Sequence, residues 1–343
     1  MFQLDELSIP IVLAPMAGGP TTPELVAAVS EAGGLGFLAA GYLSVDQFAE
    51  RIAATRALTE RPFGVNLFVP GRPDPAVDGA VADYAAGLTG AAERAGVALP
   101  APDPADEDDW AAKVALLCAD PVPVVSFVFG LPSPEVVDAL RAAGSYLIAT
   151  VTSAAEAADA AATGFDALCV QGPDGGGHRG THRVGDQPGS TPLPTLLAEV
   201  AAVTDLPRIA AGGIATGPAI ASVLAAGAAA VQLGTVYLRT PEAGTAAPYR
   251  DALAGGRYTE TALTRAFTGR VARGLRNAFM DAHPTAPAAY PQLHQLTRPL
   301  RAASAASGDP DGMSLWAGTG FRHTTTEPAG ELTRRLWREA VVL

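Results

Sequence analysis

Arg208-Ile209-Ala210-Ala211-Gly212-Gly213-Ile214-Ala215-Thr216-Gly217 reads as a short buried strand that ends on a glycine turn and enters a helix; Ala230-Val231-Gln232-Leu233-Gly234-Thr235 is the strand and turn that follow. Apolar runs without strict alternation suit parallel strands covered on both faces. Further runs of this kind lie at Pro10 to Ala14, Leu35 to Ala39, Phe63 to Phe68, Val122 to Phe127, Tyr146 to Thr150 and Ala167 to Gln171. Alanine-rich helical stretches separate them. Several helix starts are legible: Thr22-Pro23, Ser44, Ser133-Pro134 and Thr152-Ser153 place capping hydroxyls or proline at the first turn. Eight strand-then-helix units within residues 1–240 match a (β/α)8 TIM barrel better than a six-stranded doubly wound sheet.

Two stretches interrupt the repeat. Pro102 to Asp109 is rich in Pro and Asp and makes the third crossover long and partly exposed. Residues 241–327 are irregular, with Pro284, Pro287, Pro291 and Pro299 expected to interrupt any helix. The division that follows is a barrel of residues 1–240 and 328–343, with 241–327 as a flanking or cap segment over its rim. A closing helix over Pro328 to Val342 would pack on the barrel through Leu332, Leu336 and Val341.

Bulk chemistry narrows the function. A net charge of -12 disfavours nucleic acid and anionic membranes, since a phosphate-coated partner would be repelled. Alanine-rich stretches such as Ile220 to Val231 are too short for a bilayer, and the N-terminus lacks a signal-peptide pattern, so a cytoplasmic protein is the expectation. Cys118 and Cys169 lie in apolar surroundings, as reduced buried thiols do.

Chemistry concentrates at the C-terminal ends of the expected strands. Free backbone N–H groups at the turns after strands seven and eight, at Gly212-Gly213 and Gly234-Thr235, make an anion site suited to a phosphorylated cofactor. The plainer reading is that these glycines only permit tight turns. After strand six, Leu168 to Gly180 carries the loop Gly175-Gly176-Gly177-His178-Arg179-Gly180, where backbone approaches a ligand closely while His178 projects toward it; a solvent-exposed turn is the competing reading. Met16 in Pro15-Met16-Ala17-Gly18-Gly19-Pro20 is a pocket residue or core filler. Asn66 and Gln171, at the ends of strands three and six, need hydrogen-bond partners that a polar cofactor or neighbouring backbone supplies.

Other motifs fail. Gly175, Gly177 and Gly180 match a dinucleotide fingerprint formally, but Thr181 to Pro188 does not start the required helix. There is no Gly-x-Ser-x-Gly elbow, and the five histidines show no metal-site spacing, so no metal is expected.

Nearly the whole chain resembles the nitronate monooxygenases, formerly 2-nitropropane dioxygenases. The likeness rests on Pro15-Met16-Ala17-Gly18-Gly19, the Gly-Gly-Gly-His-Arg-Gly loop, Ala211 to Ile214 and Gln232 to Thr235. Phe267 to Asn277 and Ser314-Leu315-Trp316-Ala317-Gly318 add to it. One departure is Asp174-Gly175-Gly176-Gly177-His178, where the family loop usually reads Glu-Ala-Gly-Gly-His; the acid is shorter and the backbone looser.

The resemblance implies an FMN-dependent barrel. Met16, Asn66, Gln171, Gly176, Gly212, Gly213, Gln232, Leu233, Gly234 and Thr235 would contact the cofactor, and His178 would be the catalytic histidine. It further implies oxidative denitrification of alkyl nitronates such as propionate 3-nitronate with O2: the substrate anion gives one electron to the flavin, and a carbonyl compound plus nitrite or nitrate results. His178 is cast as the partner of the substrate anion, or as general base for neutral nitroalkanes, on an ordinary pKa of ~6.5. Arg270, Arg273 and Arg276 either hold a substrate carboxylate or form a structural face. The expected partners are small molecules, a nitronate and O2, with a homodimer as the form of self-association. Alternatives are an FMN-dependent NAD(P)H enoyl-acyl-carrier-protein reductase, which shares the Gly-Gly-His loop, and a non-catalytic flavin-binding barrel.

Overall fold

The computed structural model describes residues 2–342. Its barrel strands are β1 (Ile11–Leu13), β2 (Gly36–Ala39), β3 (Phe63–Phe68), β4 (Val124–Val128), β5 (Tyr146–Val151), β6 (Ala167–Gln171), β8 (Arg208–Ala211) and β9 (Ala230–Leu233). They pair in parallel in the order β1-β9-β8-β6-β5-β4-β3-β2. Closure comes from Leu35: its N–H donates to the Ile11 carbonyl and its carbonyl accepts from Leu13 N, joining β1 to the start of β2. The molecule is a (β/α)8 TIM barrel.

Helices α1 (Pro23–Glu31), α2 (Val45–Leu58), α3 (Asp78–Ala95), α4 (Trp110–Ala119), α5 (Pro134–Ala142), α6 (Ala154–Thr163), α7 (Leu193–Ala201) and α8 (Gly217–Ala225) fill the crossovers. Hydroxyls of Thr22, Ser44 and Ser153 accept from backbone N–H groups of the first turns of α1, α2 and α6, as the sequence leads one to expect, and Thr216 does the same for α8. Ser133 precedes α5 without such a bond, and Pro134 sets that start instead.

Alternation along the strands builds the core. Val12, Phe37, Val124, Ile148, Cys169, Ile209 and Ala230 point into the barrel, where Phe2 and Leu4 join them. Their neighbours Leu13, Leu38, Val125, Leu147, Val170, Ala210 and Leu233 point outward to the helices. One step further along five of the eight strands the inward position turns polar: Asn66, Ser126, Thr150, Gln171 and Gln232 ring the C-terminal mouth.

Above that mouth lies a second sheet. β7 (Gly177–His178) pairs with β11 (Ala272–Leu275), which pairs with β10 (Thr261–Thr264), both antiparallel. The His178 loop therefore contains a two-residue strand. Helices α9 (Ala247–Ala254), α10 (Ala278–Ala282), α11 (Gln292–Ser307) and α12 (Ala329–Val341) complete the chain.

Two expectations are corrected here. Pro299 lies inside α11 rather than ending it. An interior proline costs about 3 kcal/mol, but Leu293, Leu296 and Leu300 bury one face of α11 against Val81, Leu88 and Ala92 of α3, which offsets that cost. In α12, Leu332 and Leu336 are buried as read, but Val341 at the last turn is 56% exposed. Cys118 and Cys169 are both free thiols.

Candidate active site

A cavity of about 650 Å³ opens at the C-terminal mouth, within the range of small-molecule and cofactor sites. Its lining includes Met16, Asn66, Gln171, Gly176, His178, Gly212, Gly213, Gln232, Gly234 and Thr235. Leu233 is the exception. It is buried among the helix-facing residues, since strand alternation turns it away from the mouth that Gln232 faces.

Glycine is demanded at two points of the cradle. Gly213 has φ +76°, and a Cβ there would lie 2.6 Å from Cβ of Asp174. A Cβ on Gly176 would lie 2.4 Å from the backbone nitrogen of Gly318. These contacts explain why the loops after β6, after β8 and at Ala317-Gly318 pack so closely, with Thr319 N donating to the Asp174 carbonyl and Gly318 N to Thr235 Oγ1. Asp174 itself is exposed and takes part through its backbone.

Of the two amides, Asn66 donates from Nδ2 to Ser126 Oγ at 2.9 Å, and its Oδ1 makes no bond to the described residues. Gln171 is otherwise. Its Nε2 donates to the His178 carbonyl at 2.9 Å, and its Oε1 accepts from Gly180 N at 2.8 Å and Arg179 Nε at 3.3 Å. The loop thus satisfies Gln171 without a cofactor, and Gln171 in turn fixes the loop that presents His178.

His178 is wrapped by aromatic rings. Phe129 lies 5.6 Å away edge-on, Trp316 at 5.4 Å and Tyr290 at 6.5 Å, centroid to centroid. Its Nε2 is 2.8 Å from Thr268 Oγ1, and its other ring nitrogen has no partner among the described residues. Burial, with the charges of Arg270 and Arg301 added, pushes the imidazole down to about 3. The ring is therefore neutral at pH 7, not poised between states as its ordinary value led one to expect.

The three candidate arginines do not face the cavity. Arg276 is on the surface, paired with Glu260 and Asp281. Arg273 donates to the Pro173 carbonyl and Thr261 Oγ1. Arg270 is buried behind Phe129, its guanidinium 4.1 Å from that ring's centroid. Cations that do line the cavity are Arg51, Arg298 and Arg301, none within 4 Å of a carboxylate among the described residues.

Further wall residues were not anticipated: Tyr42, Phe129, Thr268, His294 and Trp316. Tyr42 and Phe129 hold φ values of +69° and +76°, rare for aromatic residues and a mark of strained, over-determined positions. The Tyr42 ring stacks on His294 at 4.0 Å, and Arg301 donates to His294 Nδ1 at 3.2 Å. The Asp-rich crossover fixes this wall. Asp108 Oδ1 accepts from Tyr42 N at 2.8 Å, while Asp108 Oδ2 lies 2.8 Å from the fully buried Lys113 ammonium, which also donates to the Ala40 carbonyl. Asp103 and Asp106 bond Gln295 of α11.

The fold is that of an α/β-barrel protein with a cavity open at the C-terminal mouth. The nitronate monooxygenase family model matches residues 3–339. A probable nitronate monooxygenase of Staphylococcus aureus strain Newman is 34% identical over 334 residues, covering 96% of this chain and 94% of that protein. The solved nitroalkane oxidase from Streptomyces ansochromogenes superposes with a TM-score of 0.93 at 48% identity, covering 99% of this chain and 97% of its own. FabK from Thermotoga maritima superposes at 0.74 with 27% identity, covering 99% and 95%. The chain belongs to the nitronate monooxygenase family and is an oxidoreductase. Among the described residues no helix is long and apolar enough to cross a membrane.

Proposed function

We propose that this protein binds FMN and uses O2 to denitrify alkyl nitronates oxidatively, giving a carbonyl compound plus nitrite or nitrate. The observation that carries the reading is the ring-flanked His178 presented over a glycine-lined cavity in a chain of this family. The cavity fits a flavin: it has the volume, backbone glycines where a Cβ would collide, and an open Asn66 carbonyl oxygen. Backbone at Gly212-Gly213 and Gly234-Thr235 would hold the phosphate, with Asn66, Gly176 and Met16 toward the ring system. When bound, FMN accepts the electrons of the oxidation and passes them to dioxygen.

The chain's own part is binding, orientation and proton handling. With Nε2 engaged by Thr268, His178 has Nδ1 left for the substrate. When Thr268 Oγ1 donates to Nε2, the Nδ1–H of the neutral imidazole donates to a nitro oxygen; in the other tautomer Nδ1 carries the lone pair that removes the α-proton if a neutral nitroalkane enters. For propionate 3-nitronate we place the carboxylate at Arg51 and Arg298, which line the cavity, rather than at Arg270, Arg273 and Arg276, which do not.

The likeness to FabK keeps a pyridine-nucleotide-dependent reductase as the second reading. Anaerobic mixing of the yellow protein with either NADH or propionate 3-nitronate separates the two. Bleaching by the nitronate alone supports the proposal; rapid bleaching by NADH supports the reductase.

A further inference from the structure

Arg270 is among the largest fully buried side chains of the protein, at 1% exposure. Buried arginine is normally paired with a carboxylate, because an unpaired charge removed from water is costly. Here no acidic side chain lies within 4 Å among the described residues. Its Nη1 donates to the Thr181 carbonyl at 2.9 Å, and its Nε has no partner among the described residues. What surrounds the guanidinium is aromatic: Phe129 at 4.1 Å and Tyr290 at 5.4 Å. Those same two rings pack against His178. Arg301 completes the arrangement from α11. It lines the cavity, its Nη2 and Nε are bound to His294 and Thr297, and it too lacks a carboxylate.

We propose that Arg270 and Arg301, and not His178, carry the positive charge that this site sets against an anionic substrate, Arg270 acting as a positioning residue from behind Phe129. A cation held in a low-dielectric wall without its own counter-ion leaves its field directed at whatever anion enters the cavity. His178 then contributes hydrogen bonding from a neutral ring. The groups that bear on His178 are Arg270, Arg301, His294 and Tyr290; the acid that bears on Arg270 in turn is Asp186, which is exposed and makes no ion pair with it within 4 Å. Arg273 and Arg179 also flank the loop but are turned to the Pro173 and Gly189 carbonyls. The depressed titration of both His178 and His294 agrees with this arrangement, since each is lowered by burial first and by arginine charge second.

The proposal rests on the reading of an anionic nitro substrate, and its test separates the two. In FMN-loaded enzyme labelled at histidine nitrogen, the titration of His178 is followed by NMR in wild type, Arg270→Met, Arg270→Lys and Arg301→Met. Inorganic nitrite serves as the anion probe, its Kd read from the flavin spectrum. Removing either charge is expected to raise the His178 midpoint by at least about one unit and to weaken nitrite roughly tenfold, one such step being worth 1.36 kcal/mol. Arg270→Lys, which keeps the charge, stays within about twofold of wild type in nitrite affinity on the same scale. A merely structural Arg270 predicts no movement of the midpoint. Folded Arg270→Met with both readouts unchanged overturns the proposal, and if that variant does not fold, unchanged readouts in Arg301→Met do so. A shifted midpoint in an enzyme that oxidises no nitronate supports the electrostatic assignment and removes the substrate reading.

Discussion

Thr268 Oγ1 stands 2.8 Å from His178 Nε2, joining the β10–β11 connection to the loop after β6 across 90 residues of sequence. Thr268 is itself buried at 1% exposure, so the imidazole is held in one orientation by a partner that solvent does not replace. Thr268→Val keeps the shape and removes the hydroxyl. A buried neutral hydrogen bond is worth about 1 kcal/mol, so kcat/KM for a nitronate is expected to fall about fivefold while the flavin content stays at wild-type level. Steady-state oxygen uptake with flavin absorbance per protein checks this; full activity would show that Thr268 does not orient the ring.

Gly176 packs against Ala317 and Gly318 with no room for a side chain. Gly176→Val is expected to force those two strands of backbone apart and to weaken FMN binding by at least about tenfold, about 1.4 kcal/mol, with barrel circular dichroism retained. Titration of the apoprotein with FMN measures it. Wild-type affinity would mean that this loop is not part of the cradle.

The Lys113–Asp108 pair supports the far wall of the cavity through Tyr42. Burial raises the Asp108 carboxyl above its ordinary range even with Lys113 beside it, so a partner lost here is not replaced by water. Lys113→Met is expected to destabilise the protein by about 3 kcal/mol, the scale for breaking a buried pair by removing one member. Urea denaturation gives the value, and a change under about 0.5 kcal/mol would place the pair among ordinary surface bridges.

His294 is 8% exposed, stacks on Tyr42 and accepts from Arg301, and burial with that charge pushes it down to about 2. The sign follows from linkage: the unfolded chain takes up this proton near pH 6.5 and the folded chain does not. The contribution of His294 is therefore complete above pH 6.5 and is lost progressively as the pH falls toward 2. His178 acts in the same direction down to about 3. His294→Phe, which keeps a ring against Tyr42, is expected to flatten the slope of stability between pH 6.5 and 4. Melting temperatures across that interval test it, and parallel curves for the two proteins would contradict the assignment.

Barrel, strand limits and most of the mouth are legible because they rest on local signals: apolar runs, capping hydroxyls at Thr22, Ser44 and Ser153, and glycine turns at Gly212-Gly213. Leu233, named from the sequence as a cofactor contact, is turned instead toward the helices, as counting alternate residues from Gln232 requires. What the sequence hides is assembled over distance. His294 and Arg301 lie on α11, more than 250 residues from Tyr42, and only tertiary packing brings them to the same wall. Pro299 masks that helix from local rules, because burial of Leu293, Leu296 and Leu300 outweighs propensity. The neutral state of His178 is likewise a property of its enclosure and of Arg270 behind Phe129, neither of which a motif records.

His178→Asn tests the central claim most directly. The variant is to be purified with its flavin, its FMN-to-protein ratio measured, and nitronate-dependent oxygen uptake recorded alongside wild type. The account predicts an unchanged FMN ratio and kcat/KM reduced by at least about 100-fold, the lower end for removing a positioned acid–base group. Undiminished turnover in a fully flavinated variant would contradict it.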